Sequence, residues 1–237
     1  MGLARTVEVG PVKLAFREWG DPAAAPVVLL HALGDTAADW ETVATRLADS
    51  FHVFAIDLRG HGGSDRATHY SIDGMRDDVC GFLDALGLAG AHLVGHSLGG
   101  MVGYLVAAKR PDLVGRLVLE EAPAPVPVDP PRGEPARPAG PLEVDWAAVV
   151  ALYAQRDQPD PCWLDALDRV SAPTLLVCGG TASTLPQEQF LLIAERIADS
   201  LLVTIPSGHD VHATRPDDFA AAVLEFLELS APPVIDY

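Results

Sequence analysis

The spacing of polar and apolar residues changes along the chain, and each change predicts an element. Thr6–Val9 and Lys13–Trp19 alternate residue by residue, and Gly10-Pro11 between them predicts a hairpin. Pro26-Val27-Val28-Leu29-Leu30 is apolar throughout, the pattern of a parallel strand buried on both faces. Trp40, Val43 and Leu47 fall at helical spacing within Ala37–Ala48. Phe51–Leu58 predicts the next strand and runs into a glycine-rich loop, Arg59–Ser64. Ser71 can cap a helix whose apolar face is Ile72, Met75, Val79, Phe82, Leu83 and Leu86, and Gly87 and Gly90 end it.

The alternation continues with a strand at Ala91–Gly95, a helix at Leu98–Lys109 and a strand at Arg116–Glu120. Further on come a strand at Pro173–Cys178, a helix at Pro186–Ala198, a strand at Leu201–Ile205 and a helix at Asp217–Leu229. This order predicts an α/β fold: a mostly parallel twisted sheet flanked by helices on both faces. One stretch breaks the rhythm. Residues 123–141 hold eight prolines in nineteen positions, which excludes a helix or a central strand. Helices are expected after it at Val144–Arg156 and Cys162–Val170. The expected organisation is therefore a core of residues 1–121 and 173–237, interrupted by a small proline-rich insertion at 122–172. That insertion reads as a lid over a site, with a surface linker as the alternative.

Composition narrows the partners. Of 237 residues, 49% are hydrophobic and 21% charged, a globular balance. The formal net charge of −17 argues against nucleic acid and against anionic membrane surfaces, leaving a small-molecule substrate as the expected partner. Cys80, Cys162 and Cys178 sit in apolar stretches without metal spacing, as buried free thiols do, which fits a reduced cytoplasm. No apolar run has the length of a membrane span, and no basic-then-apolar signal opens the chain. Met1–Thr6 matches a loose myristoylation pattern, outweighed by the strand that starts at once. Neither a metal cluster nor a cofactor loop is apparent: Gly60–Gly63 lacks the Lys-Ser/Thr of a phosphate loop.

Gly95-His96-Ser97-Leu98-Gly99-Gly100 carries the chemistry. It matches the nucleophile elbow, a strained strand-to-helix turn that needs glycines around its serine, and it lies between an apolar strand and an expected amphipathic helix. Ser97 is the candidate nucleophile, and the Leu98 N–H is one candidate oxyanion donor at the helix start. A serine hydroxyl needs a base. In the order Ser, acid, His, only His209 and His212 follow Ser97. His209 sits in a loop just after the last strand, where sites of such sheets assemble; His212 is alternatively a helix-start or supporting residue. The six earlier histidines read as structural.

Five segments together resemble the α/β-hydrolase-fold serine hydrolases, a group that includes small esterases, enol-lactonases and cofactor-free perhydrolases. They are Leu29–Gly34, Asp57–Asp65, Gly95–Gly100, Ala172–Val177, and Ser207-Gly208-His209 with Arg215–Phe219. The resemblance implies Leu33 N–H as second oxyanion donor, with Ala32 where the family usually has glycine. It also implies that Asp57–Asp65 is structural. The family most often places its acid in the loop that here reads Gly179–Pro186, and Ala182 stands where the carboxylate belongs. Some relatives use the end of the preceding strand, where this chain has Glu120-Glu121. Neighbouring strand residues point to opposite faces, so at most one faces His209. Glu121 matches the alternative position; Glu120, or no effective acid, remains open.

The expected activity is hydrolysis of a carboxylic ester, lactone or thioester of a small to medium apolar molecule, through a Ser97–His209–Glu121 triad and without cofactor. Perhydrolysis, a non-hydrolytic lyase or cyclase reaction, and a degenerate ligand-binding module are the alternatives. Leu33, Trp40, Trp146, Tyr153 and Trp163 are candidates to line a pocket. Aromatic residues at helical spacing are more often core, so none is assigned to the site.

Overall fold

The structure is a computed structural model and describes residues 2–229. Met1 of the acylation pattern and residues 230–237 of the expected core segment lie outside the described residues. The chain forms β1 (Leu3–Val9), β2 (Val12–Trp19), β3 (Pro26–Leu30), α1 (Glu41–Leu47), β4 (His52–Ile56), α2 (Ile72–Leu86), β5 (Ala91–His96) and α3 (Leu98–Lys109). It continues through β6 (Val114–Glu120), α4 (Trp146–Asp157), α5 (Pro161–Leu167), β7 (Thr174–Cys178), α6 (Gln187–Arg196), β8 (Ser200–Thr204), α7 (Val211–Thr214) and α8 (Pro216–Glu228). The sheet has eight strands in the order β1-β2-β4-β3-β5-β6-β7-β8. From β4 to β8 every pairing is parallel, and the β1–β2 hairpin adds antiparallel at one edge.

The apolar strands are explained by two cores. Val27 and Leu29 face one side with Trp40, Val43, Leu47, Phe219 and Val223 of the α1 and α8 region. Val28 and Leu30 face the other, against residues of α2, α3 and α5. Strand order reverses between β3 and β5, so a crevice opens at their carboxyl ends, the usual place for a ligand in such sheets. Both Ser97 and the Leu33 loop lie there.

Several details differ from the sequence expectations. Leu98–Ala107 is buried on every side, so α3 is not amphipathic; it is packed between the sheet, α2 and α5. Ala37–Trp40 is a 3₁₀ turn capped by Thr36, and only then does α1 begin. Leu201, Leu202 and Val203 are exposed because β8 is the sheet's edge. Cys162 is exposed on α5, whereas Cys80 and Cys178 are buried. Ser71 does cap α2, accepting from the Gly74 N–H at 3.0 Å, and Gly87 ends it in the left-handed region. No helix among the described residues is long and apolar enough to cross a membrane.

Candidate active site

Backbone strain marks the turn between β5 and α3. Ser97 sits at φ 50°, ψ −110°, a conformation that side-chain-bearing residues rarely adopt. The glycines around it are required by contact. A Cβ on Gly95 would lie 2.4 Å from the Gly99 carbonyl oxygen, and one on Gly99 would lie 2.1 Å from that of Leu30. On Gly100 it would meet the Ala122 Cβ at 2.6 Å. The Ser97 N–H donates to the Glu120 carbonyl at 2.9 Å, which ties the turn to β6. Ser97 thus opens α3, where the helix dipole favours negative charge.

The close approach of Gly99 to Leu30 and His31 brings the Leu33 loop beside the start of α3. Among the described residues neither the Leu33 nor the Leu98 N–H donates a hydrogen bond. Two histidines hold that loop. His31 Nδ1–H donates to the Ala32 carbonyl at 2.7 Å, and its Nε2 accepts the Leu58 N–H at 2.9 Å. His61 Nδ1–H donates to the Arg59 carbonyl at 3.1 Å, and its Nε2 accepts the Gly34 N–H at 3.2 Å. Burial pushes His31 down to about 4 and His61 down to about 3, so both rings stay neutral in these tautomers at pH 7. Asp57 stays structural, accepting from the N–H groups of Ala37 at 2.6 Å and Gly63 at 2.9 Å. Ala32 is not among the residues at positive φ, so its Cβ brings no left-handed strain.

Glu121, the residue after β6, sits at φ 47°, fully buried, and turns its carboxylate under the loop after β7. Oε1 accepts the Gly179 N–H at 2.6 Å, and Oε2 accepts the Ser183 hydroxyl. Oε2 also lies 3.1 Å from His209 Nδ1. The loop without an acid thus supplies donors that fix a carboxylate coming from the neighbouring strand. His209 is carried over it by glycine contact: a Cβ on Gly179 would overlap the Gly208 carbonyl oxygen at 1.7 Å. Ser207 and Gly208 N–H both donate to the Gly179 carbonyl, at 3.0 and 3.1 Å. Among the described residues no hydrogen bond joins Ser97 to His209.

Glu120 faces the opposite side and takes the second histidine. Its carboxylate accepts the His212 N–H at 2.7 Å and His212 Nδ1–H at 2.9 Å. His212 stacks on Trp40 with ring centroids 4.3 Å apart. His96 lies in register with Glu120 across β5 and β6, and its Nε2–H donates to the His209 carbonyl at 2.9 Å. Both ends of the turn bearing His209 are therefore clamped, one by His96 and the other by Glu120. Burial opposes the charge on Glu120, but His96 and His212 outweigh it and hold the carboxyl below its ordinary value. Burial likewise opposes the charge on His212, and Glu120 outweighs it and raises the imidazole. His96, Glu120 and His212 place ligand-type atoms within 4.8 Å of one another, as a metal centre would. Within that grouping Glu120 and His212 bond each other, and His96 Nδ1 is buried without a hydrogen-bond partner.

His96 was not foreseen at the site; its neighbour relation to Glu120 follows from strand register, which the sequence does not print. His212 opens the short helix α7, the alternative considered for it. Of the pocket candidates, Trp40 and Trp163 are core residues: Trp40 is fully buried, and Trp163 donates from Nε1 to Asp73 at 3.1 Å. Leu33, Trp146 and Tyr153 are half-buried at the edge of the larger core.

A family model described as alpha/beta hydrolase fold matches residues 25–158. A 2-(acetamidomethylene)succinate hydrolase of Mesorhizobium japonicum is 39% identical over 118 residues, 49% of this chain and only 41% of that relative's length. RutD of Agrobacterium fabrum, provisionally named a carbamate hydrolase, is 30% identical over 86% of this chain and 94% of its own. The crystal structure of the enol-lactonase from Burkholderia xenovorans superposes with a TM-score of 0.84 at 22% identity, covering 95% of this chain and all of that one, a likeness of fold.

Proposed function

The chain belongs to the α/β hydrolase family, and from that premise we propose that it is a serine hydrolase acting through an acyl-enzyme. Its substrate is a carboxylic ester, lactone or thioester of a small to medium, largely apolar molecule. The observation that carries this reading is the contact between His209 Nδ1 and the buried Glu121 carboxylate at 3.1 Å, in a chain whose Ser97 holds a strained elbow.

The steps follow from these groups. His209 Nε2 takes the Ser97 proton as Oγ attacks the acyl carbonyl, while Glu121 accepts the Nδ1–H and stabilises the imidazolium. The Leu33 and Leu98 N–H groups hold the oxyanion. The bond to the leaving oxygen or sulfur breaks as that atom receives the proton from His209. Water then gives its proton to His209 and attacks the acyl group, Ser97 leaves with that proton, and the acid is released. Residues 122–172 serve as a lid. This is supported by their start directly behind Glu121 and by the bridge from Val144 to His61, on the loop that holds Gly34.

Labelling with a fluorophosphonate, followed by peptide mass spectrometry, tests the nucleophile. One adduct on Ser97 is expected, with none in Ser97→Ala, which stays folded. A labelled Ser97→Ala protein or undiminished turnover by it would overturn the reading. A panel of p-nitrophenyl esters, a thioester and a carbamate then ranks the bond cleaved.

A further inference from the structure

Behind the candidate acid lies a small cavity whose walls are mostly apolar but which holds an unpaired cation. Met101, Pro123, Leu185 and Gln189 line it, together with Arg132 and Arg156, and its volume is about 40 Å³. That is room for one carboxylate or a water or so. It adjoins the chemistry on two sides. The Met101 N–H donates to the Ser97 carbonyl, so this wall is one helical turn, about 6 Å of rise, from the nucleophile. The Leu185 N–H donates at 3.0 Å to the Ser183 hydroxyl that bonds Glu121.

The two arginines differ. Arg132 is satisfied: its backbone N–H and its Nε each donate to Asp157 at 2.6 Å. Arg156 is not. Its Nε is shut off from solvent without a hydrogen-bond partner. Among the described residues the carboxylate that faces it, Asp157, is engaged by Arg132. What remains is the Tyr153 ring, 5.8 Å from its Cζ, a face shared with Arg132 at 5.3 Å. Among the described residues Arg156 is the one half-buried arginine with neither a hydrogen bond nor an ion pair. This occurs in a chain with 33 acidic and 16 basic side chains, where carboxylates are plentiful. Burial pulls its guanidinium below the ordinary value, and Arg132 adds to that. A guanidinium without a protein acceptor, its Nε closed off from solvent and its side chain on the wall of a carboxylate-sized space, fits a planar anion that arrives with the ligand.

We infer that Arg156 is the receptor for a carboxylate on the substrate, so that the molecule cleaved at Ser97 carries a free acid at its other end. The inference rests on the hydrolase reading for the position of the scissile bond. The rest of the ligand stays apolar, and the chain's acidic balance, which argues against polyanions, leaves a single small anion admissible.

Two measurements test it. The first is turnover of mono-p-nitrophenyl esters of dicarboxylic acids, from succinate to adipate, against the same esters with the free acid converted to its primary amide. At the best length the acid is expected to exceed the amide about 30-fold in kcat/KM, the worth of one charge-assisted hydrogen-bonded pair. Arg156→Gln is expected to bring that ratio close to one, the acid's rate falling far more than the amide's. A parallel pair, 4-carboxyphenyl and 4-carbamoylphenyl pentanoate, tells whether the acid belongs to the acyl or the leaving half. Equal rates for acid and amide in both pairs, or equal losses for both in Arg156→Gln, would overturn the inference. The second measurement needs no turnover: calorimetric titration with glutarate and with glutaramide. Glutarate alone is expected to bind the native protein and to lose its heat in Arg156→Gln. No glutarate binding overturns the subsite; glutarate binding without any ester turnover overturns the hydrolase reading and leaves the subsite standing.

Discussion

Adjacent carboxylates, Glu120 and Glu121, receive different histidines because Glu120 is the last residue of β6 and Glu121, one step beyond, turns into the left-handed region. Glu121 meets His209 and Glu120 meets His212, each fully buried. The variants should separate accordingly. Glu121→Gln keeps the shape but loses the charge that stabilises the imidazolium, and kcat should fall about 10³-fold or more with a small change in Tm. Glu120→Gln weakens a buried charge-assisted pair that holds the turn, costing about 2 kcal/mol and lowering Tm by roughly 5 °C, with kcat reduced less than tenfold. Kinetics and thermal melts on the two proteins check this; the larger loss of kcat in Glu120→Gln would reverse the assignment. With the family resemblance, the sequence leaves Glu121, Glu120 or no effective acid, since Gly179–Pro186 holds no carboxylate. It does not reveal that Gly179 and Ser183 turn their donors on Glu121, nor that His96 joins the cluster. Those facts depend on register and on a left-handed Glu121, which no local spacing encodes.

At the scale of elements, neutral His31 and His61 lock the loop after β3 to the loop after β4. Their folded pKa values lie below those of the unfolded chain. Below about pH 6.5 the unfolded chain therefore binds protons that the folded chain refuses, and stability falls as pH drops. For His31 alone the loss reaches about 3 kcal/mol by pH 4. Denaturant midpoints from pH 8 to pH 4 should fall through this window, and less steeply in His31→Gln; parallel curves would contradict the account. Ser71→Ala should cost about 1 kcal/mol by removing the cap of α2, read in the same denaturation assay. Most elements were legible because period and end signals agree, as at Ser71 and Gly87. The character of α3 was not: an amphipathic helix is expected there, yet the sheet, α2 and α5 cover it on every side.

For the whole molecule, the insertion matters most. α4 and α5 were legible, but their packing was not, because the eight prolines before them fix no direction. Trp163, Ala166 and Leu167 of α5 join the same core as α3, and Trp163 bonds Asp73 of α2. The insertion should therefore unfold with the sheet. Calorimetry is expected to show one cooperative transition; two separable ones would mean that residues 122–172 form a unit of their own.

The central claim is a covalent acyl group on Ser97. Mixing the protein with excess p-nitrophenyl ester on the millisecond scale and quenching in acid should give a burst of about one p-nitrophenol per chain and a matching mass increase on the peptide carrying Ser97. Turnover without a burst, and with no acylated Ser97 even when Glu121→Gln slows the enzyme, would contradict it.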